Sequence, residues 1–309
     1  MNIEHRTSNV EVERLRREKI RFKANEPLAP YTSFKVGGKA DLMLWAEDDG
    51  QLRRSLEFAG EKGLPARVIG RGSNILVSDQ GIRGVVILLD GNYRKKTLLK
   101  NGEKSKEIEA GAGVVLSGLA AFALKHGLTG MECLAGIPGT LGGALLMNAG
   151  AGGREIASLV ESVRVMDMEG RARNLSREEI KFGYRWSSLR DMGIILGAKL
   201  KLAAGEAGEI LKKMKEHLQW RKNSQPLEFP SAGSVFKNPP GDCAGRLIES
   251  AGLKGTRAGG AEISRKHANF IVNTGGARAS DIQELIDMAR KKVMEKFGIN
   301  LELEIQIMN

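Results

Sequence analysis

Apolar residues recur at helical spacing in several stretches of the chain. The most regular run predicts a helix over 280–297, where the apolar positions fall on one side: Ile282, Leu285, Ile286, Ala289, Val293 and Phe297. Ser280 with Gln283 predicts its capped beginning, and Gly298 predicts its end. Further helices are predicted over 8–23, 50–60, 116–126, 209–221 and 246–251. In 8–23, Ser8 and Glu11 fit a capping box, and in 209–221 one face carries Leu211, Met214 and Leu218.

Shorter apolar runs predict strands at 42–45, 66–69, 85–89, 108–113, 194–202 and 268–272, with a hairpin formed by 162–168 and 171–175. The tail 299–307 alternates strictly, so one face holds Ile299, Leu301, Leu303, Ile305 and Ile307. The other face holds Asn300, Glu302, Glu304 and Gln306. We therefore expect a half-buried strand that presents two carboxylates, and alternation does not choose between Glu302 and Glu304.

Glycine interrupts this pattern most densely at 131–153, where seven of 23 residues are Gly within apolar sequence. Glycine costs backbone entropy, so such a run predicts a close approach of backbone N–H groups to a bulky anionic ligand. A second glycine-rich segment, Gly70-Arg71-Gly72-Ser73-Asn74, follows the predicted strand 66–69. Its hydroxyl, amide and basic side chains suit a phosphate, and a plain tight turn is the alternative.

Composition narrows the ligand and the class of protein. The chain has 309 residues, enough for two or three domains, and carries a net charge of +11, which favours an anionic partner. Its basic residues are dispersed and its aromatic content is 5%, so phosphorylated small molecules fit better than nucleic acid. No apolar run approaches the length of a membrane span and residues 1–6 lack an apolar signal core, so we expect a cytoplasmic protein. Cys133, Cys243 and the four scattered histidines match no metal-binding spacing.

Three segments are left without a packing explanation once the phosphate-loop, dinucleotide-fold and zinc-protease motifs prove absent. One is 181–188, with Arg185 among aromatic residues; the second is 231–240, where small residues flank Ser234. The third is the carboxylate face of the tail. Each has a structural alternative: a buried ion pair for the arginine, a turn for the serine and a solvated edge for the glutamates.

Together these segments resemble the UDP-N-acetylenolpyruvoylglucosamine reductase family, the flavoenzymes of peptidoglycan precursor synthesis. The matching segments follow in order from 32 to 304: 32–41, 70–79, 136–144, 148–151, 184–185, 233–239, 253–255, 259–261 and 266–273. The resemblance is to the shorter type of the family, whose substrate domain lacks a loop with a nucleotide-clamping tyrosine. It leaves open what clamps the uridine here.

The resemblance implies an α+β fold: a two-lobed FAD-binding domain of the vanillyl-alcohol-oxidase/PCMH type and a smaller α+β substrate-binding domain. We accordingly expect a helical extension at 1–27, the FAD-binding domain at 28–202 with lobes 28–90 and 91–202, the substrate-binding domain at 203–298 and a C-terminal strand at 299–309. A monomer is the simplest expectation, although the sequence does not determine the oligomeric state.

The resemblance also implies the reaction. NADPH transfers a hydride to FAD, the flavin reduces the enolpyruvyl double bond of a nucleotide-sugar substrate, and a proton completes the lactyl ether. The family's catalytic arginine, serine and glutamate fall on Arg185, Ser234 and Glu304. Leu303 stands where the family usually has proline, and the chain ends at Met308-Asn309 rather than in Ile-Gly, but neither departure removes the carboxylate.

The family's binding positions carry over in the same way. Cofactor contacts are expected from Gly70, Arg71, Gly72, Ser73, Asn74, Gly136, Ile137, Pro138, Gly139, Thr140, Gly142 and Gly143. Substrate contacts are expected from Tyr184, Lys222, Asn238 and Lys254. Two alternatives are another FAD-dependent oxidoreductase of the same fold and a flavin-free nucleotide-sugar or nucleic-acid binding protein. Any of these lysines has the alternative of being merely solvated.

Overall fold

The protein is described by a computed structural model that covers residues 9–99 and 105–309. Its helices are α1 (Asn9–Arg17), α2 (Asp49–Glu61), α3 (Leu116–Lys125), α4 (Leu141–Leu146), α5 (Ala207–Ser224), α6 (Ala244–Ser250) and α7 (Ala279–Phe297). Its strands are β1 (Arg21–Pro27), β2 (Lys39–Ala46), β3 (Ala66–Ile69), β4 (Ile75–Val77), β5 (Ile82–Leu89), β6 (Lys96–Leu99), β7 (Ser105–Gly111), β8 (Leu128–Thr129), β9 (Gly150–Ala151), β10 (Arg154–Glu155), β11 (Val160–Met166), β12 (Ala172–Ser176), β13 (Phe182–Gly183), β14 (Trp186–Ser187), β15 (Ile194–Ala204), β16 (Arg257–Ala258), β17 (Ala261–Ile263), β18 (Ile271–Asn273) and β19 (Gln306–Met308).

The chain forms two compact units. The first consists of Asp41–Gly70, Gly84–Leu218 and the described residues before Glu26. It is built on a four-stranded sheet in the order β1-β2-β5-β3 and on a second sheet in the order β12-β11-β15-β7-β6, with β8 also paired to β15. Helices α2, α3 and α4 contribute buried apolar faces to its core, as their amphipathic sequences require.

The second unit consists of Glu26–Ala40, Arg71–Arg83 and Gln219–Asn309. Its core combines α6 and α7 with the three-stranded sheet β16-β17-β18 and with Leu76 of β4, the strand that pairs in parallel with β19. Segments 28–40 and 71–83, which lie within the predicted FAD-binding domain, belong to this unit because Phe34, Val36 and Leu76 are buried in its core. The predicted domain limits remain predictions.

Several predicted elements are confirmed. The predicted strand 66–69 is β3, the predicted hairpin is β11-β12, and the helix predicted at 50–60 is α2, whose Asp48 carboxylate accepts the N–H of Gln51 at 2.8 Å. The long helix α7 buries its predicted apolar stripe except for the half-buried Phe297, and it ends before Gly298.

Other elements differ from the prediction where a distant partner decides the structure. The helix predicted at 8–23 ends at Arg17, since the following residues pair with β2 as strand β1. Its predicted Ser8 cap lies outside the described residues. Helix α7 begins at Ala279 rather than after a Ser280 cap: the Asp79 carboxylate accepts the N–H groups of Ala279 at 2.8 Å and Ser280 at 3.0 Å.

The predicted apolar face of α5 is wrong, since Leu211 and Leu218 are 40% and 45% exposed and Ile210 is buried instead. In the tail, most of the predicted apolar face is confirmed: Leu301 and Ile305 are buried, and Ile299 and Leu303 pack against the second core, whereas Ile307 is 39% exposed. The regular strand is shorter than predicted and covers only Gln306–Met308. Before this strand the chain bends at Glu304 and Ile305 and pairs through an isolated bridge at Leu303, because a ladder requires a partner edge as well as an alternating sequence.

Candidate active site

Arg185 lies on the turn that joins β13 to β14 in the first unit. These strands pair antiparallel, so Tyr184 and Arg185 form the two-residue loop. The backbone φ of Arg185 is +53°, in the left-handed region that costs a residue with a side chain about 1–2 kcal/mol. Its guanidinium carbon lies 5.1 Å from the centroid of the Tyr184 ring. A strained conformation at a charged loop residue is typical of functional positions, where surrounding contacts hold the chain in place.

Asn148 supplies the contacts that hold this turn. Its side chain is buried, and its Nδ2 donates to the carbonyl of Gly183 at 3.0 Å and to Glu155 Oε2 at 2.6 Å. Its Oδ1 accepts the N–H of Ala157 at 3.2 Å. Asn148 belongs to the glycine-rich stretch of the sequence. That stretch therefore fixes the Arg185 turn in addition to any direct role at a ligand.

The same stretch meets Gly70 within the first unit. A Cβ built on Gly70 would lie 2.8 Å from Thr140 Oγ1, so only glycine fits there without a shift. Gly70, Pro138 and Gly143 are exposed, which leaves accessible backbone along the segment. The N–H of Gly142 donates to Ala112 O at 2.9 Å, so that glycine also packs the segment against β7. An exposed backbone surface next to a close glycine–threonine contact fits the flat, extended shape of a dinucleotide cofactor.

The remaining predicted cofactor residues of the 70–74 segment lie in the second unit. Gly72 has a φ of +62°, and a Cβ there would lie 2.2 Å from the carbonyl of Tyr31. The turn after β3 therefore requires glycine. Arg71 is exposed, while Ser73 and Asn74 are half-buried.

Asn74 connects this turn to the tail of the chain. Its Nδ2 donates to the carbonyl of Glu304 at 3.0 Å, and its own carbonyl accepts the N–H of Gln306 at 2.9 Å. Asn74 therefore lies in the same hydrogen-bonded group as a predicted catalytic residue, although 230 residues separate the two in sequence.

Ser234 lies beside the same tail. The carbonyl of Val235, the next residue, accepts the N–H of Glu304 at 2.8 Å, and Lys237 donates its N–H to the carbonyl of Glu302 at 2.8 Å. Glu302 has a side chain that is 73% exposed and is paired with Lys237, whereas Glu304 is half-buried. The structure thus brings Ser234, Glu304 and Asn74 into adjoining segments and distinguishes the two glutamates.

A pocket of about 350 Å³ opens beside Ser234 in the second unit. Its lining includes two predicted site residues, Ser234 and Asn238, and a set of basic, thiol and amide groups: Cys243, Arg246, Lys266, His267 and Asn269. Asn238 Oδ1 accepts the N–H of Ala244 at 3.1 Å, which orients the carboxamide. Such a pocket can accommodate an anionic, hydrogen-bonding ligand.

The other predicted substrate residues are more dispersed. Lys254 forms an ion pair with Glu249, which also lines the pocket, at 2.7 Å. Lys222 is exposed at the end of α5, and its carbonyl accepts the ammonium of Lys266 at 2.6 Å. Tyr184 is 48% exposed on the Arg185 turn in the first unit.

The surroundings of His267 in this pocket favour its neutral form. Burial lowers the pKa of His267 below its ordinary value, and the nearby Lys254 lowers that pKa further. Its Nδ1 accepts the N–H of Asn269 at 3.2 Å, so in the neutral ring Nε2 carries the proton. The ring packs against Phe270, with the two ring centroids 4.9 Å apart.

Two asparagines with direct hydrogen bonds to the candidate site were not assigned a role from the sequence. Asn148 and Asn269 fall inside matching segments, but nothing local distinguishes them from other asparagines.

Among the described residues, no group of three or more His, Cys, Asp or Glu side chains is arranged to hold a metal ion. Nor does that part of the chain contain a helix long and apolar enough to cross a membrane.

Comparison with known proteins identifies the family of the chain. Residues 40–176 match the model of an FAD binding domain, and residues 225–308 match the C-terminal domain of UDP-N-acetylenolpyruvoylglucosamine reductase. The chain is 46% identical to the UDP-N-acetylenolpyruvoylglucosamine reductase of Moorella thermoacetica over 94% of both chains. It is 47% identical to that of Caldanaerobacter subterraneus over 92% of both. The crystal structure of the reductase from Thermus caldophilus is 40% identical, with a TM-score of 0.80 over 94% of this chain and 99% of that one.

The fold and the matched domains define an FAD-dependent oxidoreductase of α+β architecture. Because these relatives are 46% and 47% identical over more than nine-tenths of the chain, the chain belongs to the UDP-N-acetylenolpyruvoylglucosamine reductase family. The family resemblance inferred from the sequence is thereby confirmed, as is the expected FAD-binding domain.

Proposed function

We propose that the chain reduces UDP-N-acetylglucosamine enolpyruvate to UDP-N-acetylmuramate with NADPH as the hydride donor. The observation that carries the proposal is that Ser234 lines a polar pocket and that the next residue, Val235, bonds the Glu304 segment: its carbonyl accepts the N–H of Glu304 at 2.8 Å. This reaction belongs to peptidoglycan precursor synthesis. We therefore infer that the protein works in the cytoplasm as a monomer and supports cell wall biogenesis, and through it cell shape and division.

The glycine-rich segments are the proposed FAD-binding residues. In the first unit these are Gly70, Gly136, Ile137, Pro138, Gly139, Thr140, Gly142 and Gly143, and in the second Arg71, Gly72, Ser73 and Asn74. When bound, the flavin supplies hydride transfer between NADPH and the enolpyruvyl double bond. The exposed backbone at Gly70 and Gly143 supports this assignment, because a flavin dinucleotide requires close approach of the main chain.

We assign charge stabilisation to Arg185. Reduction of the double bond creates negative charge on the carboxylate side of the substrate, and a planar guanidinium is suited to holding a carboxylate through two hydrogen bonds. The strained turn supports the assignment because it fixes the direction from which the side chain extends.

We assign proton donation to Ser234 and an electrostatic role to Glu304. The Ser234 hydroxyl gives its proton to the enolate carbon, completing a C–H bond, and it regains a proton from solvent. A positioned donor of this kind contributes ~10²–10⁴-fold to rate. The half-buried Glu304 shares the developing charge from the adjoining segment.

Substrate binding is assigned to Tyr184, Lys222, Asn238 and Lys254. Asn238 lines the pocket with its carboxamide already oriented, and Lys254 lies next to the pocket through Glu249. The ammonium groups favour the diphosphate, and the carboxamide offers a neutral donor.

A half-reaction experiment tests this proposal. The purified protein should be yellow, and NADPH consumption should depend on UDP-N-acetylglucosamine enolpyruvate. In stopped flow, Ser234→Ala should let NADPH bleach the flavin at the wild-type rate. Reoxidation by the enolpyruvyl substrate should slow by ~10²–10⁴-fold. Wild-type protein whose reduced flavin is not reoxidised by this substrate would contradict the proposed reaction, and normal reoxidation in the variant would remove Ser234 from it.

A further inference from the structure

Asn269 forms a hydrogen-bonded clamp on the chain just after Ser234. Its Nδ2 donates to the carbonyl of Phe236 at 2.8 Å, and its Oδ1 accepts the N–H of the same residue at 2.9 Å. Its main-chain carbonyl accepts the N–H of Val235 at 2.8 Å. The side chain is 3% exposed, so these bonds form in a dry environment where each is costly to lose.

The opposite side of the same two residues is bonded to the tail. The carbonyl of Val235 accepts the N–H of Glu304, and Phe236 forms an isolated antiparallel bridge with Leu303. Val235 and Phe236 therefore lie between Asn269 on one side and the Glu304 segment on the other. A shift of this short stretch would move Ser234 relative to Glu304.

Asn269 is itself fixed from its own loop. Its N–H donates to His267 Nδ1, and the Ser264 hydroxyl accepts the N–H groups of Lys266 at 3.1 Å and His267 at 3.3 Å. The clamp thus connects a rigid loop at one wall of the pocket to the main chain that carries the proposed proton donor.

We propose that Asn269 is a positioning residue for proton transfer, which keeps the Ser234 hydroxyl in register with Glu304. The inference rests on the proposed function, and it adds a residue that acts through its hydrogen bonds to the main chain of Phe236. Removing the carboxamide leaves both polar groups of Phe236 unsatisfied and frees the stretch to move. A displacement of about 1 Å at a reacting group costs roughly 10²-fold in rate.

The experiment compares two buried asparagines of the same unit. Asn273 is 8% exposed, and its carboxamide also bonds main-chain groups, donating to Phe34 at 2.9 Å and accepting from Gly275 at 2.9 Å. We expect Asn269→Leu and Asn273→Leu to lose comparable stability. Only Asn269→Leu should slow flavin reoxidation by the enolpyruvyl substrate, by ~10–10²-fold, with bleaching by NADPH unchanged. Equal half-reaction rates in the two variants would overturn the proposal.

A second variant keeps the test decisive if Asn269→Leu does not fold. In Asn269→Asp the carboxylate still accepts from the N–H of Phe236 but repels its carbonyl. Protonation restores a donor, and burial raises the pKa of such a carboxyl. Reoxidation by this variant should therefore recover toward the wild-type rate as pH falls. If the ratio of the Asn269→Asp reoxidation rate to the wild-type reoxidation rate stays constant across pH, the proposed positioning role of Asn269 is contradicted.

The outcomes separate this inference from the proposed function. If wild-type flavin is not reoxidised by the enolpyruvyl substrate, the reaction itself is wrong. If wild-type protein turns over and Asn269→Asp matches it even at a pH where the new carboxyl is ionised, the reaction stands and the positioning role is wrong.

Discussion

The Arg185 turn and the Ser234 stretch present proposed catalytic side chains in different ways. Arg185 is held with a strained backbone by Asn148, which lies 35 residues before Gly183 in the same unit. Ser234 lies in a stretch bonded to two remote segments, at Asn269 and Glu304. In both regions a buried carboxamide bonds main-chain groups next to the reactive residue. The difference is that the first region holds a residue with a strained backbone, whereas the second depends on main-chain hydrogen bonds to two other segments of the chain.

The largest effect is expected from removing the Arg185 side chain in the first region. Arg185→Ala should lower turnover by ~10²–10³-fold, as removal of one charge-stabilising group does, while the flavin stays bound. Arg185→Gly should be equally inactive yet more stable than Arg185→Ala by about 1 kcal/mol, because glycine adopts the positive φ without strain. Steady-state NADPH oxidation and urea unfolding measure the two effects.

Arg173→Ala is the matched control, since Arg173 is exposed on β12 in the same unit. It should change neither property. Loss of FAD from Arg185→Ala would instead make the arginine structural, and equal stability of the alanine and glycine variants would show that the turn is not strained.

A smaller effect is expected from removing the Asn148 carboxamide, which bonds the carbonyl of Gly183 beside the Arg185 turn. Asn148→Gly keeps the positive φ of +44° accessible but leaves the carbonyl of Gly183 and the N–H of Ala157 unsatisfied. Each buried unsatisfied group costs about 1–3 kcal/mol, so for the two groups we expect a loss of about 2–6 kcal/mol in the free energy of unfolding. Urea titration of the FAD-loaded protein measures it.

A control variant measures how much stability is lost by introducing glycine itself. Asn174→Gly, at an exposed position of β12, should cost only the entropy of glycine, roughly 0.5–1 kcal/mol. Equal losses at the two positions would mean that the carboxamide of Asn148 does not support the Arg185 turn.

Local patterns predicted the elements whose determinants lie close together in sequence. Helix α2 with its Asp48 cap, in the first unit, and the apolar stripe of α7, in the second, follow from residues within a few positions of each other. The cap of α7 does not, since Asp79 is 200 residues from Ala279. Nor did alternation in the tail reveal that only three of its residues would find a strand partner, in β4.

The site divides in the same way. The motifs containing Arg185, Ser234 and Glu304 were visible in the sequence through resemblance. The roles of Asn148 and Asn269 were not, because a buried asparagine is recognised by which main-chain groups it reaches. The choice between Glu302 and Glu304 likewise required burial, which period-two alternation assigns equally to both.

The smallest expected effect uses pH to distinguish the two regions. Burial and the charge of Lys254 keep the pKa of His267 below its ordinary value of 6.5, with Glu249 opposing and Arg246 and Lys266 lining the same pocket. As pH falls through 6.5, the unfolded chain takes up a proton before the folded chain does, so stability is lost down to the lowered folded pKa. The protonated ring also no longer accepts the N–H of Asn269.

Wild-type protein should therefore lose more stability between pH 7.5 and about 5.5 than His267→Gln, in urea titrations at both values. Its flavin reoxidation should also fall more than that of the variant. His126→Gln, in the first unit, is the control and should decline as the wild type does. The Arg185 turn should be insensitive over this range, because a guanidinium keeps its charge. If the stability and the reoxidation rate of wild type and His267→Gln decline equally, protonation of His267 does not affect the Ser234 stretch. The position of Asn269 would then not depend on its bond to His267.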